Sequence, residues 1–140
     1  MIAPITGFTS GTSTGTPKPI PYWREDKTNE QQFLRDYAHM GLGEGDYVLV
    51  MGLSFRGGIL PLANYCKMGA IPIIFQHHPK YIPDVIKAIR KYRPKVFSHL
   101  SNPMIMMFEN HFEHSGIDPV DVFSSFQSVL TTQWSIPFFF

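Results

Sequence analysis

The sequence predicts an α/β fold, with a mostly parallel sheet and helices on both faces of that sheet. Short apolar runs rich in β-branched residues recur along the chain, and segments with helical periodicity separate them. Each connection is long enough for a helix to cross over between two parallel strands. With 140 residues, the chain can bury one core, so we expect a single α/β domain over residues 1–140.

The first predicted elements after the N-terminal region are a helix and a strand. Thr28 and Gln31 form a capping box, and the apolar residues between Phe33 and Met40 give the helix one apolar face. Glycines from position 41 onward end this helix and turn the chain toward the run 47–51. That run is short and β-rich, and we interpret it as a buried strand.

A second helix and a second strand follow. Residues 60–68 are apolar on nearly all sides, which predicts a helix covered on more than one face. Residues 70–75 form the next strand, and Pro72 predicts that this strand lies near an edge of the sheet or at a bulge. Cys66 lies in the apolar run, so we expect a buried and inert thiol.

The remaining elements continue the alternation. Apolar residues at i, i+3, i+4 and i+7 predict an amphipathic helix, and the basic residues beside them indicate a solvated face; the apolar positions are Ile82, Val85, Ile86 and Ile89. Residues 96–100 are predicted as a strand, 104–114 as a helix and 126–132 as a strand.

The composition limits the possible partners. Charged residues make up 16% of the chain and aromatic residues 14%, against about 25% charged in an average soluble domain. Too little charge is available to cover the surface, so we expect some faces to meet other protein. The net charge of +1 argues against nucleic acid as a partner. Without a signal peptide or a long apolar segment, we expect a cytoplasmic protein with no membrane partner.

The composition of residues 9–18 is typical of a phosphate-binding loop. Residues 9–18 read Thr-Ser-Gly-Thr-Ser-Thr-Gly-Thr-Pro-Lys, within a predicted phosphate-binding loop at 7–19. Glycines let backbone N–H groups converge on an anion, hydroxyls add donors, and a lysine adds charge. The spacing is not that of a Walker A loop. The predicted ligands are Thr9, Ser10, Gly11, Thr12, Ser13, Thr14, Gly15 and Lys18.

This stretch resembles the signature loop of the adenylate-forming acyl- and aryl-CoA ligase superfamily, which holds the pyrophosphate part of ATP. Residues 9–12 are similar to the first half of the signature and residues 14–18 to the second, with Ser13 as one additional residue between them. Gly45 to Val50 and Lys67 to Ile73 also look like the strand, helix and strand of these ligases. The loop precedes that unit here, which is similar to the order in the phenylacetate-CoA ligase branch.

The resemblance implies a reaction and its cofactors. A carboxylate would attack the α-phosphate of ATP to give acyl-AMP and pyrophosphate, and the CoA thiol would then displace AMP. ATP, Mg²⁺ and CoA are the implied cofactors, and a small-molecule carboxylic acid is the implied substrate. Residues 133–140 depart from the family pattern and suggest a truncated tail. We therefore expect this part of an AMP-binding domain to be inactive alone and to need the missing C-terminal part of the chain or a partner subunit.

Two other interpretations remain open. One is a non-catalytic or degenerate nucleotide-binding or interaction module, which the additional Ser13 would suit. The other is an α/β-hydrolase-like enzyme using Ser54 with a histidine such as His99, His111 or His114, although Arg56 replaces the second glycine of a nucleophile elbow. We predict no metal ligands among the histidines, because His77 and His78 are adjacent in extended chain and point to opposite sides.

Overall fold

A computed structural model describes residues 5–8, 15–16, 19–22, 27–52 and 60–131. Within these ranges, four parallel strands form the central sheet in the order β4-β3-β5-β6. The strands are β3 (Tyr47–Met51), β4 (Ile71–Phe75), β5 (Val96–Leu100) and β6 (Ser128–Thr131). The predicted α/β class is confirmed, and β4 lies at one edge of the sheet, as Pro72 predicts.

Helices cover both faces of this sheet. The helices α1 (Lys27–His39) and α2 (Leu60–Lys67) pack on one face, and α3 (Ile82–Tyr92), α4 (Asn102–Ser115) and α5 (Pro119–Phe123) pack on the other. The chain runs from β3 to β4 in one direction along the sheet and from β4 through β5 to β6 in the opposite direction. When all crossover connections have the same handedness, a reversal of direction along the sheet places the connecting helix on the opposite face.

The alternation of side chains along the strands divides the core into two layers. Val48 and Val50 of β3 face Tyr65 of α2, whereas Leu49 and Met51 face the layer formed with α3 and α4. All four strand residues are at most 2% exposed. Complete burial of a large aliphatic side chain contributes about 1.5–3 kcal/mol, so both layers are needed to hold β3 at the centre of the sheet.

A separate antiparallel hairpin lies near the N-terminus. The strands β1 (Ile5–Phe8) and β2 (Pro19–Tyr22) pair in the register Ile5 with Tyr22 and Phe8 with Pro19. The sequence analysis did not predict this pair, because Pro19 and Pro21 cannot donate backbone hydrogen bonds and proline within a run argues against a strand. A two-stranded sheet can contain these prolines, because each strand is hydrogen-bonded to a partner on one side only within its own sheet.

Several helix details differ from the sequence expectations. The helix α1 begins at Lys27, so Thr28 lies within the first turn rather than capping it. Among the side chains of α2 that the structure describes, Tyr65 is fully buried, while Ala63 and Cys66 are exposed. The expectation of a buried Cys66 thiol is therefore wrong. The short helix α5 was not predicted, because five residues are too few to show a helical period.

An ion pair joins the starts of β3 and β5. Asp46 accepts a hydrogen bond of 2.8 Å from the backbone N–H of Gly43, and its other carboxylate oxygen lies 3.0 Å from Nζ of Lys95. The Lys95 backbone N–H also donates to the carbonyl of Tyr47 at 3.0 Å. Lys95 is one of the basic residues that were expected on the solvated face beside α3, but its side chain has a partner at the amino-terminal ends of the two middle strands.

Candidate functional site

The predicted phosphate loop connects the two strands of the hairpin. The last residue of β1, Phe8, is paired with the first residue of β2, Pro19, so residues 9–18 form the connection between them. Gly15 is the single predicted ligand that the structure describes. The other predicted ligands lie outside the described residues, and their role stays a prediction; these are Thr9, Ser10, Gly11, Thr12, Ser13, Thr14 and Lys18.

The backbone at Gly15 has the conformation that the loop was predicted to use. Its φ is +71°, in the left-handed region that side chains with a Cβ adopt at a cost. An added Cβ would meet no described heavy atom within 4 Å, and both Gly15 and Thr16 are exposed. Glycine is therefore required here by the backbone conformation and not by crowding.

A second candidate region is the carboxyl edge of the central sheet between β3 and β5. The chain leaves β3 toward α2 on one face and leaves β5 toward α4 on the other face. In open α/β sheets, a crevice forms where neighbouring strands diverge in this way, and ligands bind there. Gly52 and Ser101 are the described residues that directly follow these two strands.

Ser101 carries an unpaired polar group at this edge. It occupies the N-cap position of α4 with φ −105° and ψ 161°, yet its side chain makes no capping hydrogen bond. Its Oγ is buried and has no hydrogen-bond partner among the residues that the structure describes. Sequence reasoning missed this residue, although Ser-Asn-Pro between a strand and an apolar run is a typical helix start.

Gly52 and His77 bring the ends of β3 and β4 close together. The Gly52 backbone has φ +79°, and its N–H donates to the carbonyl of Phe75 at 2.8 Å. A Cβ on Gly52 would lie 3.3 Å from Cβ of His77, so a larger residue at this position would require His77 to move by a few tenths of an ångström. The neighbouring His78 caps a short 3₁₀ turn, where its Nδ1 accepts from the Lys80 backbone N–H at 3.1 Å.

Three hydroxyl groups are buried beneath α1 and α2. The Tyr65 hydroxyl is hydrogen-bonded to the hydroxyls of Tyr37, at 2.9 Å, and of Ser98, at 2.7 Å. Burial raises the pKa of both tyrosines, so both remain uncharged at neutral pH. This cluster ties both helices to β5, two residues before its carboxyl end. Sequence reasoning counted Tyr37 among the apolar residues of its helix and did not predict the contact.

The histidines of α4 lie along the helix and away from its first turn. Ser54, the serine of the hydrolase interpretation, lies outside the described residues, so that interpretation stays a prediction. His111 is nine residues farther along α4 than Asn102, or about 14 Å. His114 Nδ1 lies 2.7 Å from the carbonyl of Asn110 on its own helix.

In the part of the chain that the structure describes, no three metal-binding side chains come together.

The fold defined by these elements is similar to the fold of part of several solved CoA ligases. A 2-hydroxyisobutyryl-CoA ligase in complex with 2-HIB-AMP and CoA matches 91% of this chain, with a TM-score of 0.71 and 17% identity. The o-succinylbenzoate CoA synthetase of Bacillus subtilis, in complex with AMP, matches 94% of the chain with a TM-score of 0.61 and 19% identity. A Mycobacterium tuberculosis fatty acyl CoA synthetase matches 84%, with a TM-score of 0.60 and 16% identity.

The similarity covers most of this chain but a small part of the solved proteins. The chain spans 29%, 25% and 22% of these three structures, respectively. No protein-family model and no curated protein matches the sequence. None of the described helices is long and apolar enough to cross a membrane.

Proposed function

We propose that this chain is the phosphate-binding part of an ATP-dependent acid–CoA ligase of the phenylacetate-CoA ligase type. The observation that carries the proposal is the loop sequence at residues 9–18, which joins two paired strands in a chain with the fold of a CoA-ligase fragment. The order of the loop before the β3-α2-β4 unit supports the phenylacetate branch.

The loop would hold the pyrophosphate that leaves when the acid is activated. Phosphoryl chemistry of this kind depends on positioning and on neutralising charge. Hydroxyls of Thr9, Ser10, Thr12 and Thr14 would donate hydrogen bonds, glycines would let the backbone approach, and Lys18 would supply the positive charge. ATP and Mg²⁺ would bind together, and CoA would accept the acyl group in the second step.

The complete reaction needs more than these 140 residues supply. In the resembling ligases, a Tyr-Gly-x-Thr-Glu segment holds adenine and magnesium, and that segment does not occur in this sequence. We therefore propose that the chain alone does not catalyse acid-dependent exchange of pyrophosphate into ATP. Further chain or a partner subunit would complete the site for a small carboxylic acid.

A non-catalytic interaction module is the second candidate. Its support is the exposure of large apolar side chains on the outer parts of the sheet, where Ile71, Ile74 and Val129 are 43%, 44% and 46% exposed. Such residues often mark protein contacts. This candidate would retain the fold without requiring the loop to bind phosphate.

Equilibrium dialysis with pyrophosphate separates the two candidates. The proposal predicts a dissociation constant in the millimolar range, or about −4 kcal/mol, because phosphate contacts act without adenine contacts. The variant Lys18→Ala should lose measurable binding, since a charge-assisted contact contributes about 1.5–3 kcal/mol. Lys87→Ala, on the exposed face of α3, is the matched control and should bind normally. Equal binding by both variants would reject the proposed role of the loop.

A further inference from the structure

An apolar groove runs between the outer strands of the sheet and the helices α4 and α5. Its volume is about 740 Å³, and five phenylalanines line it; these are Phe97, Phe108, Phe112, Phe123 and Phe126. The rings pack against one another, with centroid distances of 5.3 Å for Phe108 with Phe123 and 5.5 Å for Phe97 with Phe126. The lining is therefore a packed aromatic wall and not a set of separate surface residues.

The groove is open to solvent along its β6 side. Within the described residues, β6 is the outermost strand of the sheet, and its Val129 lines the groove while remaining 46% exposed. Two carboxylates, Glu109 and Glu113, lie at the groove on α4 and are exposed. An apolar surface of this kind gains stability when another apolar segment covers it.

We propose that residues 132–140 of the same chain fold back and dock in this groove. The described chain ends with β6 at Thr131, whose register partner is Leu100, and Leu100 is itself a groove residue. The segment therefore begins beside the groove. Nine extended residues reach about 30 Å, whereas the stretch of α4 from Ile105 to Glu113 along the groove is about 12 Å long.

The composition of the segment matches the groove. Residues 132–140 read Thr-Gln-Trp-Ser-Ile-Pro-Phe-Phe-Phe and include no charged side chain. Docking would remove the aromatic residues of the segment from water, and it would cover the partly exposed Phe123, Phe126 and Val129. A tethered segment also has an effective concentration in the millimolar range, which favours it over a second copy of the chain or a free apolar ligand.

A spin label in the segment tests the docking directly. Cys66 is exposed, so Cys66→Ser removes the native thiol and Ser135→Cys supplies a single labelling site in the full chain. Docking predicts a loss of NMR methyl intensity at Leu100, Ile105 and Val129 when the label is oxidised, relative to the reduced label. Ala63, on the α2 side of the sheet, should lose much less intensity.

A matched pair of substitutions identifies the groove as the docking surface. Val129→Lys places a charge in the groove and should restore the methyl intensities of Leu100 and Ile105. Val120→Lys places the same charge on α5 at a position that is 76% exposed and outside the groove lining, and it should leave the loss unchanged. Circular dichroism of both variants verifies the fold.

Two results would overturn the docking of the chain's own segment. One is full methyl intensity at the groove in the labelled chain. The other is an equal loss in a mixture in which one copy carries the spin label and a different copy carries the isotopes. That result would assign the groove to a second copy of the chain. Phosphate binding by the loop is measured separately and does not affect either result.

Discussion

Asp46 shows how one side chain joins distant parts of the sequence. Its carboxylate satisfies the Gly43 backbone N–H before β3 and the Lys95 ammonium before β5, so two strands begin at a fixed relative position. The side chain of Asp46 is 22% exposed and that of Lys95 36% exposed. The interaction is therefore better shielded from water than an ordinary surface ion pair.

We predict that Asp46→Ala lowers the free energy of unfolding by about 1–2 kcal/mol, because one carboxylate serves both a backbone donor and a lysine. Urea denaturation measures this loss. The control is Asp84→Ala, whose partner Lys87 lies 3.7 Å away with both side chains more than half exposed; its change should stay within about 0.5 kcal/mol. Equal losses in the two variants would show that the Asp46 contacts do not join the strands.

The buried hydroxyl cluster predicts a dependence of stability on alkaline pH. Burial raises the folded-state pKa of Tyr65 above its unfolded value of about 10. The unfolded chain therefore loses the phenolic proton first, and the free energy of unfolding falls as the pH rises above about 10, by about 1.4 kcal/mol per pH unit for each such tyrosine. Below that pH, Tyr65 contributes no slope.

The variant Tyr65→Phe isolates this contribution. It should reduce the slope of unfolding free energy against pH by about 1.4 kcal/mol per pH unit above pH 10, in urea titrations between about pH 8 and pH 11. Tyr92→Phe, at a position that is 37% exposed and outside the hydroxyl cluster, is the control for the substitution itself. An unchanged slope in Tyr65→Phe would mean that the hydroxyl is not held in its protonated form by the fold.

The helix α4 begins without a side-chain capping hydrogen bond from Ser101, its N-cap residue. Ser101 is in the extended conformation of an N-cap residue, and the first backbone bond, from Ile105 N–H to the Ser101 carbonyl, is 3.0 Å long. The hydroxyl nevertheless stays buried and has no partner within the described part of the chain. A buried polar atom without a partner destabilises the fold, so this element is less stable than its sequence alone would predict.

We predict that Ser101→Ala leaves the free energy of unfolding unchanged or raises it, whereas an ordinary N-cap serine costs about 1 kcal/mol when it is lost. Asp118→Ala at the start of α5 is the control, because the Asp118 carboxylate accepts from the Val120 backbone N–H at 2.9 Å; it should lose about 1 kcal/mol. A loss of that size in Ser101→Ala, measured by urea denaturation, would contradict the unpaired state of this hydroxyl.

At the level of elements, the sequence predicts what local periodicity determines. The apolar runs specified the four strands of the sheet, and the spacing from Ile82 to Ile89 specified α3. The pairing of β1 with β2 was not predictable, because it depends on contact between β1 and the proline-containing strand β2 across a ten-residue loop. The exposure of Cys66 depends on how α2 is rotated against the sheet, which no local pattern determines.

The candidate site is predictable in part for the same reason. Loop chemistry is local, so the run of hydroxyls, glycines and Lys18 can be predicted as a phosphate site from the sequence alone. Gly15 has a positive φ, and the role of the loop stays a prediction. The carboxyl edge of the sheet is assembled from β3, β4 and β5. The positions of Ser101 and Gly52 at this edge could not be predicted from the sequence, because they depend on how these strands assemble.

At the level of the whole molecule, the two candidate regions belong to different sheets. The predicted phosphate loop connects the two strands of the antiparallel hairpin, and the ligand crevice expected at the carboxyl edge belongs to the parallel sheet. The matching CoA ligases are far longer than this chain, which spans 22–30% of their length. The proposed role of the chain is therefore to bind pyrophosphate weakly and without catalysis.

The most direct test of this account is a titration of pyrophosphate followed by amide NMR shifts in the intact chain. We predict saturable shifts in residues 9–18, including Gly15, with a millimolar midpoint. Lys18→Ala should abolish these shifts, and deletion of Ser13, which restores the spacing of the resembling loop, should preserve or strengthen them. Absence of shifts in the folded wild type at pyrophosphate concentrations of tens of millimolar would contradict the assignment of this loop to phosphate.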